Sequence, residues 1–135
     1  MTDHQAIARA FMDALWAADM DAADALLSND ATWQFQLGMP QAALPGHGRT
    51  WPAREAIRRI VADLFGRFDP EGFTVTVTQT LSGSGSVGIE YEARGRTASG
   101  ERYQNYYVTV LDIRNDKVTE VRPYNDTAHM LAALS

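Results

Sequence analysis

The chain has 135 residues, a length that fits one domain around one core. Hydrophobic residues make up 45% and the formal net charge is -5, with no Lys/Arg cluster and a single lysine, Lys117, so no basic face is offered to a phosphate backbone. The absence of cysteine excludes disulfides, thiolate nucleophiles and cysteine-ligated metals, and makes the cytoplasm the expected location. The N-terminal string MTDHQAIARAF has no basic region leading into an apolar core, and no apolar run approaches the length of a membrane span. Neither nucleic acid nor a membrane is an expected partner.

In chain order, Thr2 with Gln5 forms a capping-box pattern. Ile7, Phe11, Leu15 and Ala18 follow at helical spacing, with Met12 and Trp16 beside the same stripe. Residues 19–21 break this helix, and a second short one is predicted over 22–28. Asn29-Asp30 reads as a turn and 31–37 as a strand. Residues 38–50 hold three glycines, two prolines and His47, which suits a loop at the rim of a site. Pro52 fits the first turn of a third helix, whose apolar face carries Ala56, Ile57, Ile60, Val61, Leu64 and Phe65. Phe73, Val75 and Val77 alternate with threonines, as in a strand. Ser82-Gly83-Ser84-Gly85 predicts a hairpin turn, 86–96 a strand, 97–100 a turn and 102–114 a long strand. Asn115-Asp116-Lys117 is a tight polar turn, followed by a strand to Asn125 and a short helix over 126–134.

Consecutive strands joined by tight turns make an antiparallel meander rather than a doubly wound sheet. Pattern alone therefore predicts an α+β fold with helices on one face. The string VTEVRPYNDTAHMLAAL at the C-terminal end carries more. It resembles the last hairpin and cap of the nuclear transport factor 2-like superfamily, in particular its ketosteroid isomerase, limonene epoxide hydrolase and SnoaL-like polyketide cyclase branches. The resemblance implies a cystatin-like α+β cone, a strongly curved antiparallel sheet wrapped around N-terminal helices, with residues 1–135 forming a single SnoaL-like domain.

The same resemblance implies a site. It turns Glu90, Glu92 and Arg94 of one strand toward the cone, with Asn105 and Tyr107 on the next and Val121, Pro123 and Asn125 on the last. Trp16, Trp33, Phe35, Phe65 and Met130 would close the apolar end. Glu90 and Glu92 fall where limonene epoxide hydrolase has the arginine and an aspartate of its catalytic group. Pro123 stands where the other aspartate would be, so hydrolysis by that mechanism is not expected. Phe35 falls at the general-base position of ketosteroid isomerase and cannot accept a proton, so that mechanism is not expected either.

Glu90 and Glu92 are nevertheless the candidate proton carriers. Two carboxylates on one strand face repel, so one could hold its proton near neutral pH. The residues themselves leave a competing reading open. Clean alternation in Val87-Gly88-Ile89-Glu90-Tyr91-Glu92-Ala93-Arg94 sends the apolar side chains inward and the charges to water. The candidate ligand-binding residues are Trp16, Trp33, Phe35, Phe65, Arg94, Asn105, Tyr107, Val121, Asn125 and Met130. Tyr107 and Asn105 either polarise a ligand oxygen or satisfy each other. Asp126 suits a helix N-cap, and Arg122 an ion pair away from the cavity. His4, His47 and His129 are scattered without metal-ligand spacing, and neither metal nor cofactor is expected.

The expected function is cofactor-free acid/base chemistry (isomerase, cyclase or hydrolase) on a small apolar ligand. The alternatives are a non-catalytic ligand-binding or accessory domain, and an interaction module whose cone is filled by its own side chains. A homodimer is expected through the convex sheet face, where the resemblance places Ile89, Tyr91, Val108 and Val110.

Overall fold

The computed structural model describes residues 3–36, 48–63, 65–69 and 71–134. Helix α1 (His4–Trp16) opens the chain, and its cap is Asp3, whose carboxylate accepts the backbone N–H groups of Gln5 and Ala6. The capping acceptor is thus Asp3, whereas the capping box was predicted on Thr2, which lies outside the described residues. Ala8, Phe11, Met12 and Leu15 form the buried stripe of this helix. Asp19 caps α2 (Met20–Leu26) by accepting from Ala22, so the second helix starts and ends two residues earlier than predicted.

Strand β1 (Leu27–Gln34) follows directly. Asn29 and Asp30, predicted as a turn, lie inside it. Pairing of β1 to the last strand shifts between Leu27 and Thr32, so the polar pair is absorbed as an irregularity within the strand. Residues 37–47 lie outside the described residues, and with them His47 and most of the predicted rim loop. Thr50 begins a short edge strand, β2 (Thr50–Pro52), and α3 (Ala53–Asp63) starts immediately after Pro52. The proline therefore ends an edge strand, where its missing N–H costs nothing, instead of opening the helix. A short 3-10 turn (Phe65–Arg67) leads to the meander: β3 (Thr74–Gly83), β4 (Ser86–Arg96), β5 (Arg102–Arg114) and β6 (Lys117–Asn125). Helix α4 (Thr127–Leu134) closes the chain, with Asp126 accepting the His129 backbone N–H as its cap.

Both predicted hairpin turns are present, for a clear reason. Ser84 and Gly85 between β3 and β4, and Asn115 and Asp116 between β5 and β6, all have positive φ. Two such residues in a row match the twist of the strands they join, and small or Asn/Asp side chains tolerate that backbone best.

The six strands form one curved sheet in the order β2-β1-β6-β5-β4-β3. All neighbours are antiparallel except β1 and β6, which run parallel. The predicted antiparallel meander of β3–β6 is present, and one parallel pair, β1 with β6, makes the whole sheet mixed. No hairpin joins β1 to β6, so turn chemistry does not set their relative direction. Helix α1 packs against β3, β4, β5 and β6, and α3 against β1 and β2. The core lies between helices and sheet, where Phe11, Trp51, Ile57, Ile89, Leu111, Val118 and Val121 are fully buried. Each such side chain contributes about 1.5–3 kcal/mol by leaving water.

Candidate functional site

A cavity of about 110 Å³ opens on the concave side of the sheet. One water needs about 10–15 Å³ on the same scale, so the space suits a small organic molecule. Alternation decides what it presents. The odd-numbered residues of β4, β5 and β6 face inward: Tyr91 and Ala93, then Tyr103, Tyr107 and Thr109, then Pro123 and Asn125. Helix α1 supplies Met12, Leu15 and Trp16, β1 supplies Trp33 with Phe35 just beyond it, and α4 supplies Met130. Phe68, Phe73, Val75 and Gln36 complete the lining.

The polar groups of this wall form two linked sets. Tyr103 and Tyr107 bring their hydroxyl oxygens to 2.5 Å, and Asn105 Nδ2 donates to Tyr103 at 2.9 Å. Tyr91 shares a hydrogen bond of 3.0 Å with Thr109. The Tyr91 and Tyr107 rings are parallel and 5.0 Å apart, and Trp16 meets Tyr91 edge-on. Burial raises all three phenols above their ordinary value, Tyr91 to about 12. Hydrogen bonding of Tyr91 with Thr109, and of Tyr103 with Tyr107 and Asn105, only partly opposes this. At neutral pH the three tyrosines are uncharged hydroxyls able to donate a proton into a hydrogen bond. Trp33 adds an indole N–H that is buried and has no hydrogen-bond partner.

Glu90 and Glu92 do not reach this cavity. They stand on the opposite face of β4: Glu90 accepts from Thr78 at 2.9 Å, and Glu92 accepts from Arg94 and from Gln104. Arg94 is exposed on that same outer face. The register implied by the resemblance was displaced by one residue, and in a strand such a slip exchanges the two faces completely. The alternation of the sequence itself orients β4 correctly, with Val87, Ile89, Tyr91 and Ala93 buried. Ile89 and Tyr91 are therefore interior residues and not part of a convex apolar face.

Of the other candidates, Trp16, Trp33, Phe35, Tyr107, Asn125 and Met130 line the cavity. Asn105 shares the inward parity of Tyr103 and Tyr107 but does not line the cavity; almost fully buried, it is bonded to Tyr103 and not to Tyr107 or Glu90. Val121 is buried in the core rather than exposed to the cavity. The Phe65 side chain lies outside the described residues. Arg122 faces outward and binds Asp112 through two nitrogens and Glu120 through one. His129 stacks on Tyr103 with centroids 5.8 Å apart. Sequence reasoning missed Tyr91, Tyr103 and Thr109 as wall residues. Their signal was strand parity, since Tyr103 and Thr109 share it with Tyr107.

Among the described residues no cluster of His, Asp or Glu could hold a metal ion. No described lining residue is a carboxylate, imidazole or amine. The arrangement can surround an apolar body and donate hydrogen bonds to an oxygen on it.

The fold is shared with several solved structures. A nuclear transport factor 2-like protein of unknown function from Burkholderia pseudomallei is 18% identical with a TM-score of 0.76, covering 100% of this chain and 99% of its own. IdmH, a candidate polyketide cyclase from Streptomyces antibioticus, is 18% identical with a TM-score of 0.79, covering 98% and 99%. An epoxide hydrolase of Mycobacterium tuberculosis, similar to limonene epoxide hydrolase, is 22% identical with a TM-score of 0.65, covering 95% and 86%. No curated protein matches the chain in sequence. The model of the SnoaL-like domain matches residues 8–121, from within α1 to the middle of β6, and the chain belongs to that family.

Proposed function

We propose that this SnoaL-like domain is a cofactor-free enzyme that takes a small apolar, oxygen-bearing molecule into the cone and promotes proton transfer on it, as isomerases, cyclases and hydrolases do. The observation that carries the reading is the Tyr103–Tyr107 hydroxyl pair, 2.5 Å apart in a largely apolar wall. A neutral phenol donating to a ligand oxygen stabilises negative charge as it develops there, and it does so best where water is excluded. Such polarisation acidifies a C–H bond next to a carbonyl, and its proton passes to a water molecule admitted with the ligand, since no described lining residue is a carboxylate, imidazole or amine. The aromatic walls would hold the body of the ligand.

The test is deuterium exchange at the methyl group of acetophenone in D2O, followed by NMR. Wild type is expected to accelerate exchange over buffer, and Tyr107→Phe to lose about 10²-fold or more of that acceleration. Binding without any acceleration would favour the second reading, a non-catalytic ligand-binding or accessory domain. That reading is supported by the lack of a carboxylate or imidazole among the described lining residues.

We also propose a homodimer through the outer face of β3–β6. Leu81, Tyr106 and Tyr124 are exposed there, with Val108 and Val110 half-buried beside them. Opposite them Gly88 leaves open space where a side chain would stand, so a partner surface could approach the backbone. The cytoplasm is the proposed location, on the absence of cysteine.

A further inference from the structure

Along the inward row of β4 the side chains shrink, from the phenol of Tyr91 through the methyl of Ala93 to a single hydrogen at Gly95. Tyr103 stands directly opposite Gly95 on β5, and Phe73 flanks it on the other side, one residue ahead of β3. The sheet therefore has a notch between two aromatic rings. Phe68 fills it. Its ring centroid lies 5.2 Å from that of Phe73 and 5.1 Å from that of Tyr103. A Cβ at Gly95 would stand 3.0 Å from Phe73 Cδ2 and 3.5 Å from Phe68 Cδ1, so even a methyl group there would press on the Phe73 ring.

The backbone around Phe68 is fixed independently of its ring. The Asp69 N–H donates to the Arg96 carbonyl and the Ala98 N–H to the Arg67 carbonyl, each at 2.8 Å, and Phe68 itself bridges to Thr97. The segment between α3 and β3 is thus pinned beside the end of β4 whatever side chain stands at position 68. Phe68, Phe73 and Tyr103 all line the cavity, so the ring in the notch is also the end wall that a ligand meets.

We infer that Phe68 is the residue that determines ligand length: its ring plugs a subsite above Gly95, so that the cavity takes a single-ring molecule over one extended by a second, fused ring. The inference rests on the proposed ligand-binding role of the cavity and adds the size of the body it takes. Without the plug, the walls left behind are the Phe73 and Tyr103 rings and the bare backbone of Gly95. An apolar void of ring size stays dry and takes up an aromatic molecule. Removal of the Phe68 ring therefore creates room for a ligand as well as a packing defect. Gly95 acts with it, because the notch exists only while that position carries no side chain.

The experiment titrates acetophenone and 2-acetonaphthone, which share one polar head and differ by one fused ring, into wild type and variants by calorimetry. Wild type is expected to prefer acetophenone by about tenfold or more, since even one methylene too many in a closed apolar pocket costs that much. Phe68→Ala should raise the relative affinity for 2-acetonaphthone by about tenfold. Adding Gly95→Ala to Phe68→Ala narrows the notch from the sheet side and should bring the ratio back toward wild type. A purely structural role for Phe68 would lower stability and leave the ratio unmoved. If Phe68→Ala does not fold, Phe68→Leu makes the same test with a smaller expected rise, about threefold. Equal affinities in wild type, or a ratio unchanged in the folded Phe68 variant, overturn the inference and leave the ligand-binding reading standing. Failure of both probes to bind wild type overturns the ligand-binding reading and this inference with it.

Discussion

Tyr91 and Tyr107 stack in parallel across neighbouring strands, with ring centroids 5.0 Å apart and planes within 1° of each other. The register of β4 and β5 sets them directly opposite, and each hydroxyl is held by a different partner, Thr109 for Tyr91 and Tyr103 for Tyr107. A flat aromatic wall fixed at both ends follows from that pairing. Tyr91→Ala is expected to destabilise the domain by about 3–5 kcal/mol, since a large buried side chain leaves a void. Tyr91→Phe keeps the ring but strands the buried Thr109 hydroxyl, at about 1–2 kcal/mol. Urea denaturation of the two variants checks both values and their order.

Glu90→Gln and Glu92→Gln should leave affinity for a cavity ligand within about twofold of wild type. Both side chains sit on the outer face, bonded to Thr78 and to Arg94 and Gln104. An ion pair with one exposed member, such as Glu92–Arg94, contributes on the order of 1 kcal/mol to stability. A tenfold loss of ligand binding in either variant, with the fold retained, would contradict the orientation of β4.

Asp112 is held at about 2, below its ordinary 3.8, chiefly by the hydrogen bonds from Arg122. A carboxyl whose value is lowered on folding contributes stability that is complete above its unfolded value and is lost as pH falls through the folded one. The window is therefore pH 4 down to 2. The pair is a quarter to a third exposed, so solvent screening limits the effect to about 1 kcal/mol. Asp112→Asn should be less stable than wild type at pH 7, and the gap should close between pH 4 and 2. A gap that persists unchanged at pH 2 would show that the loss comes from packing and not from charge.

The outer face offers a direct test of the proposed dimer. Sedimentation equilibrium of wild type should give twice the 14.9 kDa of one chain. Tyr106→Arg combined with Tyr124→Arg places like charges in that face and should return the single-chain mass without altering the fold. Wild type sedimenting at the single-chain mass at 100 μM, roughly a concentration at which stable dimers persist, would sink the proposal.

The meander and its two hairpins were legible in the sequence because local chemistry sets them. Strict alternation marks β4 and β5, and residues tolerant of positive φ stand at 84–85 and 115–116. The cap at Asp126 and the outward ion pair of Arg122 were readable for the same reason, since each depends on neighbours close along the chain or across one hairpin. The parallel pairing of β1 with β6 was not readable, because no turn connects two strands so far apart in the chain. The site divides along the same line. Alternation already sorted Tyr91 from Glu90 and Glu92, but which of the two faces is concave depends on where α1 packs. The tyrosine pair emerges only there, because strand parity puts Tyr103 and Tyr107 on one face but does not say that two side chains four residues apart bring their hydroxyls to 2.5 Å.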